Sequence, residues 1–125
     1  MAAHNELGKA GEKEACDFLK ENGYEILATN WTNKKAEADI IAKKDDLLLI
    51  IEVKTRSTAY FGSPEEAVGK QKQRMMVKAA EAYLEEFNLN VEVRYDIIAI
   101  VMNKQTKKII HIEDAFYPFS SEIDE

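Results

Sequence analysis

The middle of this chain reads AEADIIAKKDDLLLIIEVKTR over residues 36–56. Two apolar runs, residues 38–42 and 47–53, lie on either side of residues 43–46, which have the polar composition of a tight turn. We therefore expect a β-hairpin. Both runs are apolar on both faces, which is typical of strands in the middle of a sheet that is covered on its two sides.

The segments around this hairpin predict two helices and three further strands. Residues 5–22 have apolar side chains at helical spacing, and Gly23 is placed to end that helix in a left-handed conformation. A second helix is expected from Ser63 to about Asn88, because residues 63–66 form a capping box with proline at the first helical position. Strands are expected at residues 24–31, 91–102 and 108–112. The predicted order is αβββαββ, which is an α/β fold.

Length and composition favour one globular domain. The chain has 125 residues, 46% hydrophobic and 32% charged, and we expect a single domain over residues 1–114 followed by an acidic tail over residues 115–125. Its apolar runs fall short of the roughly 20 residues that cross a bilayer, so we expect no membrane partner. The first residues do not resemble a secretory signal, which predicts a cytoplasmic location. A single cysteine, Cys16, excludes an internal disulfide.

The charge distribution is uneven along the chain. The net charge is −6, but residues 34–78 carry ten Lys or Arg against seven Asp or Glu, or +3, while the rest carries −9. This middle part includes a basic loop at residues 33–35 and a helix whose first half holds Lys70, Lys72, Arg74 and Lys78. Arg56, Lys70, Lys72 and Arg74 are candidate contacts to nucleic-acid phosphates, and the alternative is an ordinary solvated helix face.

The hairpin would bring four charged residues to one face of the sheet. Residues two apart in a strand share a face, so Glu37 lies with Asp39, and Glu52 lies with Lys54. If residues 45 and 46 form a two-residue loop, Asp39 lies opposite Glu52. Glu37 then lies opposite Lys54. Two opposed carboxylates repel each other, and a divalent cation with oxygen ligands would compensate. With Lys54 to bind a phosphate oxygen or position a water, this set suits phosphodiester hydrolysis.

An alternative interpretation of the same four residues needs no chemistry. Glu37 and Lys54 would form a cross-strand salt bridge, and Asp39 and Glu52 would lie at the solvent-exposed edge of the sheet. The hairpin register alone leaves both interpretations open.

The first helix contributes a further candidate, Glu12. It follows Gly8-Lys9-Ala10-Gly11, where small residues permit close approach to the sheet or to a phosphate. A glycine inside a helix costs about 1 kcal/mol relative to alanine, so we expect Gly11 to have a packing reason. His4 and His111 are isolated in the sequence and are assigned no metal role.

Five motifs together resemble the bacterial YraN family of uncharacterised proteins. They are Asn5-Glu6-Leu7-Gly8-Lys9-Ala10-Gly11-Glu12, Ala36-Glu37-Ala38-Asp39-Ile40-Ile41-Ala42, Ile51-Glu52-Val53-Lys54-Thr55-Arg56-Ser57, Lys72-Gln73-Arg74 and Arg94-Tyr95-Asp96. That family is similar to the restriction-endonuclease-like, or PD-(D/E)xK, nucleases and to archaeal Holliday junction resolvases. The resemblance implies a mixed central sheet flanked by helices and an endonuclease that depends on Mg²⁺ or Mn²⁺ and cuts structured or branched DNA.

The resemblance also implies roles for individual residues. Asp39 and Glu52 would be metal ligands together with the carbonyl of Val53, and Lys54 would orient the attacking water. Glu12 would complete the site from the helix, and Glu37 is a secondary candidate. Homodimerisation is implied as well, since a DNA junction offers two symmetric strands to cut.

Two departures from the family pattern lie beside Asp39. Ala36 stands where the family usually has glycine, and Ala38 stands where a larger aliphatic residue is common. The charged residues are intact. The competing hypothesis is therefore a non-catalytic module that retains the nuclease fold and binds nucleic acid or another protein, which the acidic net charge favours.

Overall fold

The computed structural model describes residues 2–58 and 68–117, with the backbone alone for residues 2–5. The elements are α1 (Ala2–Glu21), β1 (Glu25–Asn33), β2 (Ala36–Lys44), β3 (Leu47–Arg56), α2 (Lys70–Glu86), β4 (Glu92–Met102) and β5 (Lys107–Ile112). The predicted order αβββαββ is confirmed. No helix in this part of the chain is long and apolar enough to cross a membrane.

The five strands form one sheet in the order β1-β2-β3-β4-β5. Neighbouring strands are antiparallel except for β3 and β4, which run parallel. A parallel pair requires a crossover connection, and α2 lies within it. The sheet is therefore mixed, as the resemblance implied.

Each face of the sheet carries one helix. On one face α1 places Ala15 and Leu19 against Leu49 and Ile51, and on the other face α2 places Met76 among a second set of buried side chains that includes Leu48 and Ile50. Successive residues of β3 thus alternate between two cores. This confirms that the apolar run of β3 is buried on both sides.

The hairpin of β2 and β3 has the predicted register. Lys44 pairs with Leu47 and Ile40 pairs with Ile51, across a two-residue loop in which Asp45 has a positive φ of 54°. A register fixed by so short a loop determines which side chains meet further along the strands. The ladder ends at Ile40 and Ile51, so Asp39 and Glu52 are the first residues beyond it.

Gly11 has the packing reason that its sequence context predicted. A Cβ atom at this position would lie 1.9 Å from the Oγ1 atom of Thr55. Only a glycine therefore allows α1 to lie this close to β3. This contact determines the distance between the middle of α1 and the end of β3.

The start of the second helix differs from the prediction. Gly69, immediately before α2, has an extended backbone with φ −73° and ψ 175°, so the helix that carries the buried stripe begins at Lys70 and not at Ser63. The predicted capping box at residues 63–66 lies outside the described residues. At the other helix, Gly23 has the expected left-handed conformation, with φ 89°, after α1 ends at Glu21.

The predicted boundary at residue 114 is followed by residues that contact the core. The N–H of Ala115 donates a 2.7 Å hydrogen bond to the carbonyl of Tyr95, and the ring of Phe116 stacks on the ring of Tyr95 with 4.9 Å between centroids. The division into residues 1–114 and an acidic tail remains a prediction. Most of that tail lies outside the described residues.

Candidate functional site

Glu52 and Lys54 lie at the end of β3, on the face that is covered by α2. They follow Leu48 and Ile50 at two-residue spacing, and those two residues lie in the core beneath α2. Glu52 is only 4% exposed. The Nζ atom of Lys54 lies 3.6 Å from Oε2 of Glu52. A carboxylate and an ammonium group are thus held together at a half-open edge of the core.

Asp39 joins this pair from the neighbouring strand. Its Oδ2 atom accepts a 2.9 Å hydrogen bond from the backbone N–H of Val53, the residue between Glu52 and Lys54. The carboxyl of Asp39 thus takes a backbone donor just past the end of the β2–β3 ladder. Its negative charge acts on Glu52, as the register predicted.

Lys72 adds a second ammonium group, from the first turn of α2. Its Nζ atom lies 2.8 Å from Oε1 of Glu37 and 3.6 Å from Oε1 of Glu52. Burial lowers the pKa of Lys72, but the hydrogen bond to Glu37 and the charge of Glu52 outweigh it, so the pKa is raised. Lys72 therefore faces the carboxylates, whereas the sequence suggested a phosphate contact on the helix surface.

Its position on the helix could have revealed this. Lys72 precedes Met76 by four residues and Ala79 by seven, so it lies on the buried stripe of α2. The alternative pairing of Glu37 with Lys54 is not what the described residues form, since Glu37 pairs with Lys72 and Lys54 pairs with Glu52. Glu52 is buried, so it does not lie at a solvent-exposed edge either.

The electrostatics of Glu52 are unusual for a carboxyl. The pKa of Glu52 is raised from 4.5 to about 7, first by burial and then by the charge of Asp39 and a hydrogen bond with its side chain, while Lys72 and Lys54 oppose the rise. Oε1 of Glu52 is buried and has no hydrogen-bond partner among the described residues. A buried carboxyl oxygen without a donor is costly, and it is the one such buried side-chain atom in residues 6–58 and 68–117. This oxygen is therefore a candidate to meet an external ligand.

The donor set fits a divalent cation in part. No group of three or more His, Cys, Asp or Glu side chains able to hold a metal ion occurs in residues 2–58 and 68–117. Asp39 and Glu52 would supply two oxygen ligands, and Mg²⁺ is usually held by one or two carboxylates while it keeps waters and substrate phosphates. The unpartnered oxygen of Glu52 is compatible with such a ligand. The Val53 carbonyl would be the third protein ligand that the resemblance implies.

Glu12 lies near this group but has a different partner. Its Oε1 atom accepts a 3.0 Å hydrogen bond from the side-chain amide of Asn30, an exposed β1 residue with a positive φ of 48°. Glu12 also lines a small cavity of about 160 Å³, together with Val53 and Lys54. The structure thus brings Glu12 to the rim of the candidate site without a contact to Asp39 or Glu52. No sequence pattern pointed to Asn30.

The remaining basic candidates lie around the site. Arg56 is exposed at the end of β3, and its Nη1 atom donates a 2.9 Å hydrogen bond to the carbonyl of Thr55. Lys70 is exposed at the start of α2, and Arg74 is half-buried. Their proposed contacts to nucleic acid stay predictions.

A second polar cluster lies on the opposite face of the sheet, around Asp96. Asp96 is fully buried and accepts hydrogen bonds from both Nε and Nη2 of Arg94 at 2.9 Å. It also lies 2.7 Å from Nε2 of His111 and accepts a 3.0 Å hydrogen bond from the N–H of Asp114. Burial opposes ionisation, but these partners prevail and hold the pKa of Asp96 below its usual value.

His111 is isolated in the sequence, but the fold brings it to Asp96. Its ring also meets the rings of Phe18 and Tyr24 edge-on, at 6.0 and 5.9 Å between centroids. The spacing of Arg94 and Asp96, two residues apart in one strand, was the available signal for the pair. The contribution of His111 depended on the pairing of β4 with β5, where His111 lies opposite Ile98. Because every oxygen of Asp96 is satisfied, this cluster is built as a structural one.

The comparisons with known proteins agree with the motifs. A sequence model of the family described as "Uncharacterised protein family UPF0102" matches residues 11–100. A UPF0102 protein of Flavobacterium psychrophilum is 51% identical over 119 residues, which cover 95% of this chain and all of the relative. UPF0102 proteins of Christiangramia forsetii and Bacteroides thetaiotaomicron are 53% and 49% identical, over 95% and 94% of this chain and 100% and 98% of their own lengths. The resemblance to the YraN family is confirmed.

Proposed function

The chain belongs to the uncharacterised protein family UPF0102, and we propose that it is an endonuclease that depends on Mg²⁺ or Mn²⁺ and hydrolyses phosphodiester bonds in structured or branched DNA. The observation that carries this proposal is the buried Oε1 of Glu52, which has no hydrogen-bond partner among the described residues. It lies in a group with Asp39 and two lysines. A carboxylate pair that repels itself in a buried position is expected to bind a cation.

The side chains would divide the work of hydrolysis between them. In this reaction the oxygen of water bonds to phosphorus as one bridging P–O bond breaks, and the leaving oxygen takes up a proton. Asp39, Glu52 and the Val53 carbonyl would hold the metal ion, which supplies Lewis-acid activation of the phosphate and lowers the pKa of water. Lys54, 3.6 Å from Glu52, would orient the attacking water or bind a phosphate oxygen. Its positive charge would stabilise the extra negative charge of the transition state.

Glu12 and Glu37 would act at the rim of this site. Glu37 holds Lys72 by a 2.8 Å ion pair and would fix the position of that ammonium group beside Glu52. Glu12 would orient its neighbours or a solvent molecule from the cavity that it shares with Lys54. Both are proposed as positioning residues, because their present partners are protein groups.

The decisive test is metal binding, measured by calorimetry on the wild type and on Glu52→Gln. We expect Mn²⁺ and Mg²⁺ to bind the wild type and binding to be lost in Glu52→Gln, which keeps the shape but removes the charge. Asp39→Asn is the second variant, because an amide oxygen can still accept the Val53 N–H that Asp39 binds. Glu92→Gln, an exposed residue at the start of β4, is the matched control and should bind like the wild type.

Cleavage assays on branched, single-stranded and duplex DNA would then identify the substrate. Metal-dependent cleavage that is lost in Glu52→Gln and Lys54→Met supports the proposal. Absence of metal binding by the wild type, alone and with DNA present, would contradict it. That result would favour the alternative, a non-catalytic module that keeps the nuclease fold and binds nucleic acid or protein.

The proposal extends to partners and location. DNA is proposed as the partner because the resemblance is to DNA nucleases, and parallel assays with RNA of the same sequence test that choice. A homodimer is proposed because a branched junction presents two equivalent strands, and light scattering with and without DNA measures it. A cytoplasmic location is proposed from the sequence and is testable by cell fractionation.

A further inference from the structure

A groove of about 410 Å³ lies between the turn that joins β1 to β2 and the exposed side of α2. It is lined by Asn33, Lys34, Lys35, Ala36, Lys78 and Ala82. Three of the six lining residues are lysines and none is acidic. In a chain with a net charge of −6, a groove of this composition is a local positive site.

One side of the groove is the turn between β1 and β2, and the other side is α2. Lys34 has a left-handed φ of 57°, which makes the connection between the two strands a tight turn, and Ala36 immediately after it is buried at the start of β2. Lys78 is exposed on α2 and faces the turn across the groove. Two lysines from a sheet connection and one from a helix thus converge on one space. Ala36 and Ala82 contribute small side chains that leave room for a ligand.

We propose that this groove binds the phosphate backbone of a nucleic-acid strand and guides that strand to the candidate site. The inference rests on the proposed function and names the surface on which its substrate lies. Lysine side chains bind phosphates as point charges and are the usual sequence-independent contacts to nucleic acid. The groove and the site are connected along the chain, since β2 begins at Ala36, directly after Lys35, and carries Glu37 and Asp39.

The groove lies close enough to the site for one short stretch of nucleic acid to reach both. Asp39 follows Lys35 by four positions, which at about 3.4 Å per residue is at most about 14 Å. A strand of B-form DNA advances about 3.4 Å per phosphate along the helix axis. A phosphate in the groove would therefore lie at most about four nucleotides from the phosphate beside Asp39 and Glu52. An acidic peptide would also meet three lysines, but the proposed nuclease site, which β2 carries a few residues further along the chain, favours nucleic acid.

The test is DNA binding by the full chain, measured by fluorescence anisotropy with labelled branched DNA at several salt concentrations. EDTA is present, so that cleavage cannot occur and the metal site does not contribute. The test variant carries Lys34→Gln, Lys35→Gln and Lys78→Gln. The control variant carries Lys20→Gln, Lys104→Gln and Lys108→Gln, which removes three exposed lysines and the same total charge elsewhere on the surface.

We expect the groove variant to lose at least tenfold in affinity at about 0.1 M salt. The slope of log K against log salt should fall by about 2 to 3, since each lost phosphate contact lowers it by about 0.9 in a duplex and 0.7 in a single strand. The control variant should keep most of the affinity. Thermal unfolding of both variants checks that they are folded, and the single variant Lys78→Gln should show a smaller loss in the same direction.

Equal affinity of the groove variant and the wild type would overturn the inference, as would an equal loss in both triple variants. Wild-type protein that binds no DNA would overturn it too. Metal binding separates these outcomes from the fate of the proposed function. If Mn²⁺ binds and the groove variant binds DNA like the wild type, only the proposal for the groove is wrong. If DNA binding depends on the groove and no metal binds, the groove is right and the nuclease proposal is wrong.

Discussion

The ammonium group of Lys72 lies 3.6 Å from Oε1 of Glu52, the buried oxygen that has no hydrogen-bond partner in the described part of the chain. The distance is too long for a hydrogen bond but short enough for a strong electrostatic attraction. Lys72 therefore compensates the charge of Glu52. A metal ion bound to the same carboxylate would repel the ammonium group of Lys72. Two cations, one from the protein and one from solution, would compete for the same carboxylate.

Replacement of Lys72 by methionine should tighten metal binding and weaken the metal-free protein. The competing charge is lost, so we expect Mn²⁺ to bind roughly tenfold more tightly, which is about 1.4 kcal/mol. Without metal the uncompensated Glu52 should lower the free energy of unfolding at pH 8. Calorimetry and urea denaturation measure the two effects. Lys104→Met, at an exposed turn, is the control, and a Lys72→Met variant with weaker metal binding would show that Lys72 supports the site.

The pKa of Glu52 predicts how stability depends on pH. Because this pKa is raised from 4.5 to about 7 in the folded protein, ionisation of Glu52 opposes folding. The contribution of Glu52 to stability is therefore greatest below pH 4.5, falls as the pH rises from 4.5 to 7, and levels off above that range. The span corresponds to about 3 kcal/mol.

Glu52→Gln should remove this dependence. The variant should be more stable than the wild type at pH 8 by up to about 3 kcal/mol and nearly equal to it at pH 4. Urea denaturation without metal at several pH values measures the difference. Saturating Mn²⁺ should stabilise only the wild type at pH 8, because it binds the ionised carboxyl. A difference between the two proteins that does not change with pH would contradict the raised pKa.

The sequence allowed the register of the hairpin to be predicted because the two-residue loop leaves little freedom. That register predicted that Asp39 and Glu52 lie close together. The partner of Glu37 could not be obtained in the same way, since it depends on where α2 crosses the sheet. The start of α2 was misplaced because the capping motif at residues 63–66 is local, whereas the extended backbone of Gly69 is a property of the whole connection. His111 joined Asp96 through strand pairing that a single strand does not reveal.

Asp96 should be essential to stability and unimportant for metal binding. Asp96→Asn leaves Arg94 without its buried counter-ion and removes the carboxylate beside His111, and breaking a buried pair costs about 3–5 kcal/mol. The pKa of Asp96 lies below its usual 3.8 in the folded protein, so its contribution is present above pH 3.8 and is lost as the pH falls further. The difference between variant and wild type should therefore shrink in acid.

Asp17→Asn is the matched control for this prediction. Asp17 forms a 3.0 Å ion pair with Lys13 on the surface of α1, and exposed pairs of this kind contribute little. Urea denaturation should show a much smaller change for Asp17→Asn than for Asp96→Asn. A loss of Mn²⁺ binding by a folded Asp96→Asn protein would mean that the cluster also serves the site.

The two glycines of the first helix should respond in opposite ways to alanine. At Gly11 the new Cβ would lie 1.9 Å from Oγ1 of Thr55, so α1 and β3 must move apart, whereas at Gly8 a Cβ meets nothing within 4 Å. We expect Gly11→Ala to lower the free energy of unfolding by about 1–3 kcal/mol. Gly8→Ala should raise it by up to about 1 kcal/mol, because alanine is the better helix former. Urea denaturation measures both, and equal effects of the two changes would show that the close approach of α1 to Thr55 does not occur in solution.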